Sequence, residues 1–185
     1  GTEVFADYVS GNASTDLVFQ YTVLAGQTDA NGVSVNADSL AFNGGNIRSS
    51  YNYLNNFNNS ATLTHAAVSD QSSLLVDTTA PTLTAQLDPA SDSGTPGDGI
   101  TNDNTPTISG VSEPGNTITV TSPTGEVMTT TVQPDGTWSV TPTQPLPDGA
   151  ANFPVTATDP AGNSTSSSVP VTIDSAVPNA GAAPT

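Results

Sequence analysis

The stretch "TITVTSPTGEVMTTTVQPDGTWSV", residues 117–140, decides the fold. Ile118 and Val120 alternate with threonines, Trp138 and Val140 repeat the same period of two, and the turn formers of "PTGE" and "PDGT" stand between them. A period of two turns one side of each segment toward a core and the other toward water, which describes strands rather than helices. The rhythm continues outward, with Leu83, Ala85 and Leu87 before it and with Val155, Ala157, Val169, Val171 and Ile173 after it. "SEPGN", "PLPDG" and "DPAGN" add further turns. Seven short strands over residues 81–175 therefore predict an antiparallel β-sandwich of immunoglobulin-like (Ig-like) type, with Trp138 as its core anchor.

The composition points the same way. The chain has 185 residues, is 34% hydrophobic but only 5% aromatic, and has no sustained helical period. It holds 17 Asp and Glu against one basic residue, Arg48, for a formal charge of −16. That balance repels nucleic acid and anionic membrane surfaces. It also leaves the carboxylates without ordinary salt-bridge partners, so clustered aspartates must be solvated or neutralised by cations. Without lysine there is no Lys–Asn isopeptide cross-link, and without cysteine no disulfide or thiolate ligand. Nor is there an apolar run long enough for a membrane span or a basic stretch leading a signal peptide.

A hydrophobic strand end followed by Asp, small residues and Pro occurs twice, in "LLVDTTAPTLT" around Asp77 and in "VTIDSAVPNAG" around Asp174, one domain length apart. This predicts tandem all-β modules: residues 1–79 as an N-terminally incomplete Ig-like domain, 80–175 as a complete sandwich and 176–185 as a linker to a following domain. In the first module "DLVFQYTVL" aligns Leu17, Phe19, Tyr21 and Val23 on one strand face, and "GVSV", "SLAF", "ATLTHAAV" and "SLLVD" follow. An incomplete module should expose an unpaired edge or an apolar face. The insertion "SSYNYLNNFNNS" reads first as a solvated loop, and second as a glycan- or protein-binding tip using Tyr51, Tyr53 and Phe57. His65 shares strand parity with Leu63 and Ala67 and reads as structural; no nucleophile elbow or phosphate loop is present, so the chain is not read as an enzyme.

The acidic stretch "DPASDSGTPGDGITNDN", Asp88–Asn104, is too long for a simple turn. Strand reversal places it at the trailing end of the second module, offering Asp88, Asp92, Asp98 and Asp103 beside Asp148 and Asp174. The turns with Glu113, Asp135 and Asp159 fall at the leading end, where Asp77 arrives and where Asp29 and Asn31 of the first module should face. Such gathered hard oxygens suit Ca²⁺, which takes six to eight of them. Asp77 and Asp159 are the leading candidates, with Asp29, Asn31 and Glu113 behind them. A solvated acidic surface is the competing reading.

"VDTTAPT", "DSGTPGDGITNDNTPTISG", "EPGNTITVT", "PDGTWSVTP", "LPDGA" and "VTATDPAGN" together resemble the bacterial Ig-like repeats that build the stalks of giant, type I secreted RTX-type adhesins. The resemblance covers nearly all of residues 76–175, and the first module looks like a diverged relative through "YTVLAGQTDANGVSV" and "FNGG". It implies a secreted, bacterial-surface extender segment in which Ca²⁺ rigidifies the junctions. The implied partners are neighbouring repeats of the same polypeptide, with any host-cell or biofilm ligand held by other regions and no membrane insertion.

Overall fold

The computed structural model describes residues 3–11, 16–43 and 63–176, which form strands, turns and no helix. The chain divides into two compact units, Gly1–Thr79 and Ala80–Thr185.

The N-terminal unit consists, among the described residues, of three antiparallel ribbons. β1 (Asp7–Ser10) pairs with β2 (Val18–Gln20), β3 (Thr28–Asp29) with β6 (Val76–Asp77), and β4 (Val33–Val35) with β5 (Val68–Gln71). The strand expected over Leu17–Val23 is shorter than its apolar pattern. Phe19 stands opposite Tyr8 with ring centroids 5.9 Å apart, but Tyr21 leaves the ladder to exchange hydrogen bonds with the Gln27 side chain. "SLAF" is not a strand either. Asp38, at φ 53°, turns the chain and accepts the His65 N–H at 2.9 Å, ending regular pairing there. The His65 ring accepts the Ser39 N–H at Nε2 (3.1 Å) while its Nδ1 donates to the Ala66 carbonyl (2.9 Å), which accounts for it structurally. Phe5 is 78% exposed and Leu75 61%, and among the described residues every buried hydrophobic side chain belongs to the other unit.

The C-terminal unit carries β7 (Thr84–Leu87), β8 (Ile100–Thr101), β9 (Ile108–Val111), β10 (Thr117–Thr121), β11 (Val127–Thr131), β12 (Thr137–Val140), β13 (Gly149–Thr158) and β14 (Ser164–Ile173). Two sheets form: β11-β10-β13-β14-β8 and β12-β9-β7. Five of these strands, β7, β10, β12, β13 and β14, carry the alternation read in the sequence, and β9 and β11 bring the number to the seven expected. The eighth, β8, lies inside the acidic stretch and pairs in parallel with the end of β14, Thr172 opposite Ile100 and Ile173 opposite Thr101.

The inward positions meet in one core. Ile118, Val120, Phe153, Val155 and Ala157 are fully buried, Val169, Val171, Ile173 and Trp138 nearly so, and Leu83, Ala85, Leu87 and Val140 pack at its margin. Burying such side chains contributes about 1.5–3 kcal/mol each for the larger ones, which makes this unit the stable half of the described chain. Gly110, in the central strand β9 of the smaller sheet, stands opposite both Trp138 and Ala85. A Cβ there would lie 1.9 Å from the Thr84 carbonyl oxygen and 2.9 Å from the Trp138 ring, so only glycine lets the indole lie across the sheet.

Candidate functional site

At the trailing end of the C-terminal unit the acidic stretch is folded by its own aspartates. Asp88 Oδ1 accepts the Ala90 N–H at 2.9 Å, Asp98 Oδ1 the Ile100 N–H at 2.9 Å, and Asp103 Oδ1 the Thr105 N–H at 2.9 Å and hydroxyl at 3.2 Å. These are Asx turns, in which a short carboxylate bonds the backbone two residues on. Asp92 Oδ2 accepts from Gly97 N–H, and Asp103 Oδ2 from the Ser91 hydroxyl at 3.0 Å. Beneath them Thr101 is buried, its hydroxyl donating to the Ser91 carbonyl. The stretch is then tied to the last strand: Thr172 N–H donates to Gly99 O and Asp174 N–H to Thr101 O, both at 2.8 Å. Asp148 joins the same end by accepting Ser175 N–H at 2.9 Å and its hydroxyl at 2.6 Å, which hold its carboxyl below the usual carboxylate range.

The leading end is organised by Glu113. Its carboxylate accepts the Thr82 hydroxyl at 2.6 Å, the Thr82 N–H at 3.1 Å, the Ser112 hydroxyl at 3.2 Å and the Asn116 amide at 3.0 Å. The Thr82 hydroxyl and then its N–H are the main reasons its pKa falls from an ordinary 4.5 to about 2. Asp135 is bonded to Thr137 N–H (2.9 Å) and hydroxyl (2.7 Å), and Asp159 to the Asn163 N–H and side-chain amide, each at 2.9 Å. Both carboxyls are lowered by these bonds, chiefly the side-chain ones. The Asp159 hairpin reaches the start of the unit through the Thr165 hydroxyl, which donates to the Pro81 carbonyl.

In the N-terminal unit Asp29 Oδ1 accepts the N–H groups of Asn31 (3.3 Å) and Gly32 (3.0 Å), Asn31 Nδ2 donates to Asp70 Oδ2, and Asp77 Oδ1 accepts the Thr79 N–H at 3.0 Å. β3 and β6 bring Asp29 and Asp77 onto neighbouring strands, but Asp77 stands opposite Thr28 and Asp29 opposite Val76. Residues opposite one another share a face, so the two aspartates project from opposite faces of the ribbon. Among the described residues no three His, Asp or Glu side chains gather as a metal-holding group. Tyr51, Tyr53 and Phe57 lie outside the described residues.

One arrangement runs through the C-terminal unit: a carboxylate taking both the N–H and the hydroxyl of one Thr or Ser. Asp103–Thr105, Asp135–Thr137, Glu113–Thr82, Asp148–Ser175 and Glu126–Thr143 all show it. In a chain without lysine these bonds anchor loops in the place of salt bridges. Sequence reading missed Glu126, Thr82, Thr143 and Ser175 as partners. Two of the five pairs carry a local signal, Asp followed two residues later by Thr. The others join residues 17 to 31 positions apart and carry none.

Without the short β8, strands one, two and five of the C-terminal unit make one sheet and three, four, six and seven the other, which is an Ig-type sandwich. The bacterial Ig-like domain family matches residues 78–175, just over half of the chain, and the chain belongs to that family. No curated protein matches the sequence. A solved tetra-tandem repeat from the extending region of a large adhesion protein is 28% identical over 63% of this chain and 30% of its own length, with a TM-score of 0.39. A bacterial immunoglobulin-like domain from the M. primoryensis ice-binding adhesin is 25% identical over 49% of this chain and 93% of its own, with a TM-score of 0.31. The chain thus spans under a third of the length of the first of these.

Proposed function

We propose that the chain is an extender segment of a large bacterial surface adhesin, in which Ig-like modules follow one another outside the cell and Ca²⁺ stiffens their junctions. The observation that carries this reading is the distribution of carboxylates. They collect at the two ends of the C-terminal sandwich, in a chain of formal charge −16 with a single basic residue. Hydrogen bonds to the loops engage only one carboxylate oxygen each of Asp88, Asp98 and Asp148; the second oxygen of Asp92 is also unbonded but buried. Modules joined end to end would bring such groups together, and a hard divalent cation offsets their repulsion while accepting carboxylate and carbonyl oxygens. Asp77 and Asp159 would serve the leading junction ahead of Asp29 and Asn31, since Asp29 projects from the opposite ribbon face to Asp77, and Asp88, Asp92, Asp98, Asp103, Asp148 and Asp174 the trailing one. Glu113, Asp103 and Asp159 each have both oxygens already engaged by hydrogen bonds, so a cation there must use the remaining lone pairs. The neighbouring partners are further repeats of the same polypeptide. Secretion of the RTX type and a place on the cell surface or in biofilm go with this reading.

A cation that binds only the assembled form stabilises it by mass action, by about 2.7 kcal/mol at 100 times its dissociation constant. The expected result is a higher melting temperature and a narrower small-angle scattering envelope in Ca²⁺ than in EDTA. Asp159→Ala should remove much of that difference while both units keep their β-type circular dichroism. Superimposable melting and scattering curves in Ca²⁺ and EDTA would sink the calcium reading and leave the carboxylates with their turn-forming role alone.

A further inference from the structure

We propose that the Asn31–Gly32 step is a deamidation site that its own turn holds unreactive. The reaction needs the Gly32 amide nitrogen, once deprotonated by solvent base, to attack Asn31 Cγ. The new N–Cγ bond closes a five-membered imide as the Cγ–Nδ2 bond breaks and ammonia leaves. Water then opens the ring to aspartate or isoaspartate. A glycine in second place is the least hindered nucleophile for this step, and here the fold requires it. Gly32 has φ +105°, and a Cβ would lie 2.2 Å from the Gln71 carbonyl oxygen. The turn between β3 and β4 therefore keeps a susceptible dipeptide at an exposed asparagine.

Two contacts oppose the reaction. The Gly32 N–H donates to Asp29 Oδ1 at 3.0 Å, so the proton that must leave is held by a carboxylate, and the bare nitrogen would face that negative charge. The leaving amide is held as well, since Asn31 Nδ2 donates to Asp70 Oδ2. The product would set a second carboxylate against Asp70, with no proton to share. Reaction therefore requires the turn to open first, and the product keeps it open, so deamidation records how often the β3–β6 and β4–β5 ribbons part.

The test is peptide mapping by mass spectrometry of the whole chain, incubated at mildly alkaline pH in EDTA with and without urea. Asn31 should convert on the order of tenfold or more slowly in the folded chain than in urea, the effect of one carboxylate-assisted bond or better. Asp29→Ala should speed conversion in the folded chain severalfold. Because that variant could also loosen the ribbon, Asn31→Asp serves as a mimic of the product. It should accelerate hydrogen exchange at Thr28, Asp29, Val76 and Asp77, and Asp70→Asn in the same chain should restore slow exchange. Equal conversion of Asn31 in folded and urea-treated chain, or exchange unchanged by Asn31→Asp, would overturn the proposal.

Discussion

Gly110→Ala should destabilise the C-terminal unit by about 3 kcal/mol, the upper end of what overpacking a core costs. The added methyl would meet the Thr84 carbonyl oxygen at 1.9 Å, its carbon at 2.8 Å and Trp138 Cζ2 at 2.9 Å. Two of the three are backbone atoms, which cannot rotate away. β9 cannot shift either, because it is hydrogen-bonded to β12 on one side and β7 on the other. At roughly 4–8 °C per kcal/mol for a domain of this size, the melting temperature should fall by about 12 °C or more. Trp138 is the only tryptophan and sits in this core, so its fluorescence follows this unit alone. Gly125→Ala is the control: at φ +86° with nothing within 4 Å of its Cβ, it should cost only the left-handed backbone penalty of about 1–2 kcal/mol. If Gly110→Ala melts no lower than Gly125→Ala, the packing account of Gly110 is wrong.

Much of the sandwich could be read from local pattern, because Ile118, Val120, Trp138, Val155 and Val171 each signal their face through immediate neighbours. Gly110 could not. Its necessity comes from a ring and a carbonyl on two other strands, and a single glycine in a strand carries no record of what lies above it. β8 was hidden for a different reason: two residues cannot display a period, and Ile100–Thr101 becomes a strand only because the end of β14 passes beside it. In the N-terminal unit the alternation at Leu17–Val23 promised a longer strand than forms. There the Gln27 side chain accepts the Leu24 N–H at 2.7 Å, a side-chain bond to the backbone that competes with ladder pairing. The candidate site divides in the same way. Strand reversal suffices to sort carboxylates between the two ends of a sandwich, but which oxygen each carboxylate commits depends on distant hydroxyls such as those of Thr82 and Thr143.

Those hydroxyls lead to the second large effect, an acid-labile C-terminal unit. Glu113 is ionised in the folded chain down to about pH 2 but titrates near 4.5 when its partners are gone. A carboxyl lowered by folding stabilises the native state above its unfolded pKa and loses that contribution as pH falls through the folded one. Glu126, Asp135, Asp148 and Asp159 are lowered in the same direction by their Thr, Ser and Asn partners, so their contributions disappear on the same side of neutrality. One effect runs against this: protonation also relieves the mutual repulsion of a −16 chain, which by itself favours compaction on acidification. The specific bonds should win, because Glu113 also satisfies the side-chain amide of Asn116, which is buried and has little access to water. The melting temperature followed through Trp138 should therefore fall steadily from pH 5 toward pH 2. Glu113→Gln should melt several degrees lower at neutral pH and show a shallower decline, having no charge left to lose at that position. A parent chain that melts as high or higher near pH 2 than near pH 5 would mean that relief of repulsion dominates and that the carboxylate–hydroxyl pairs contribute little.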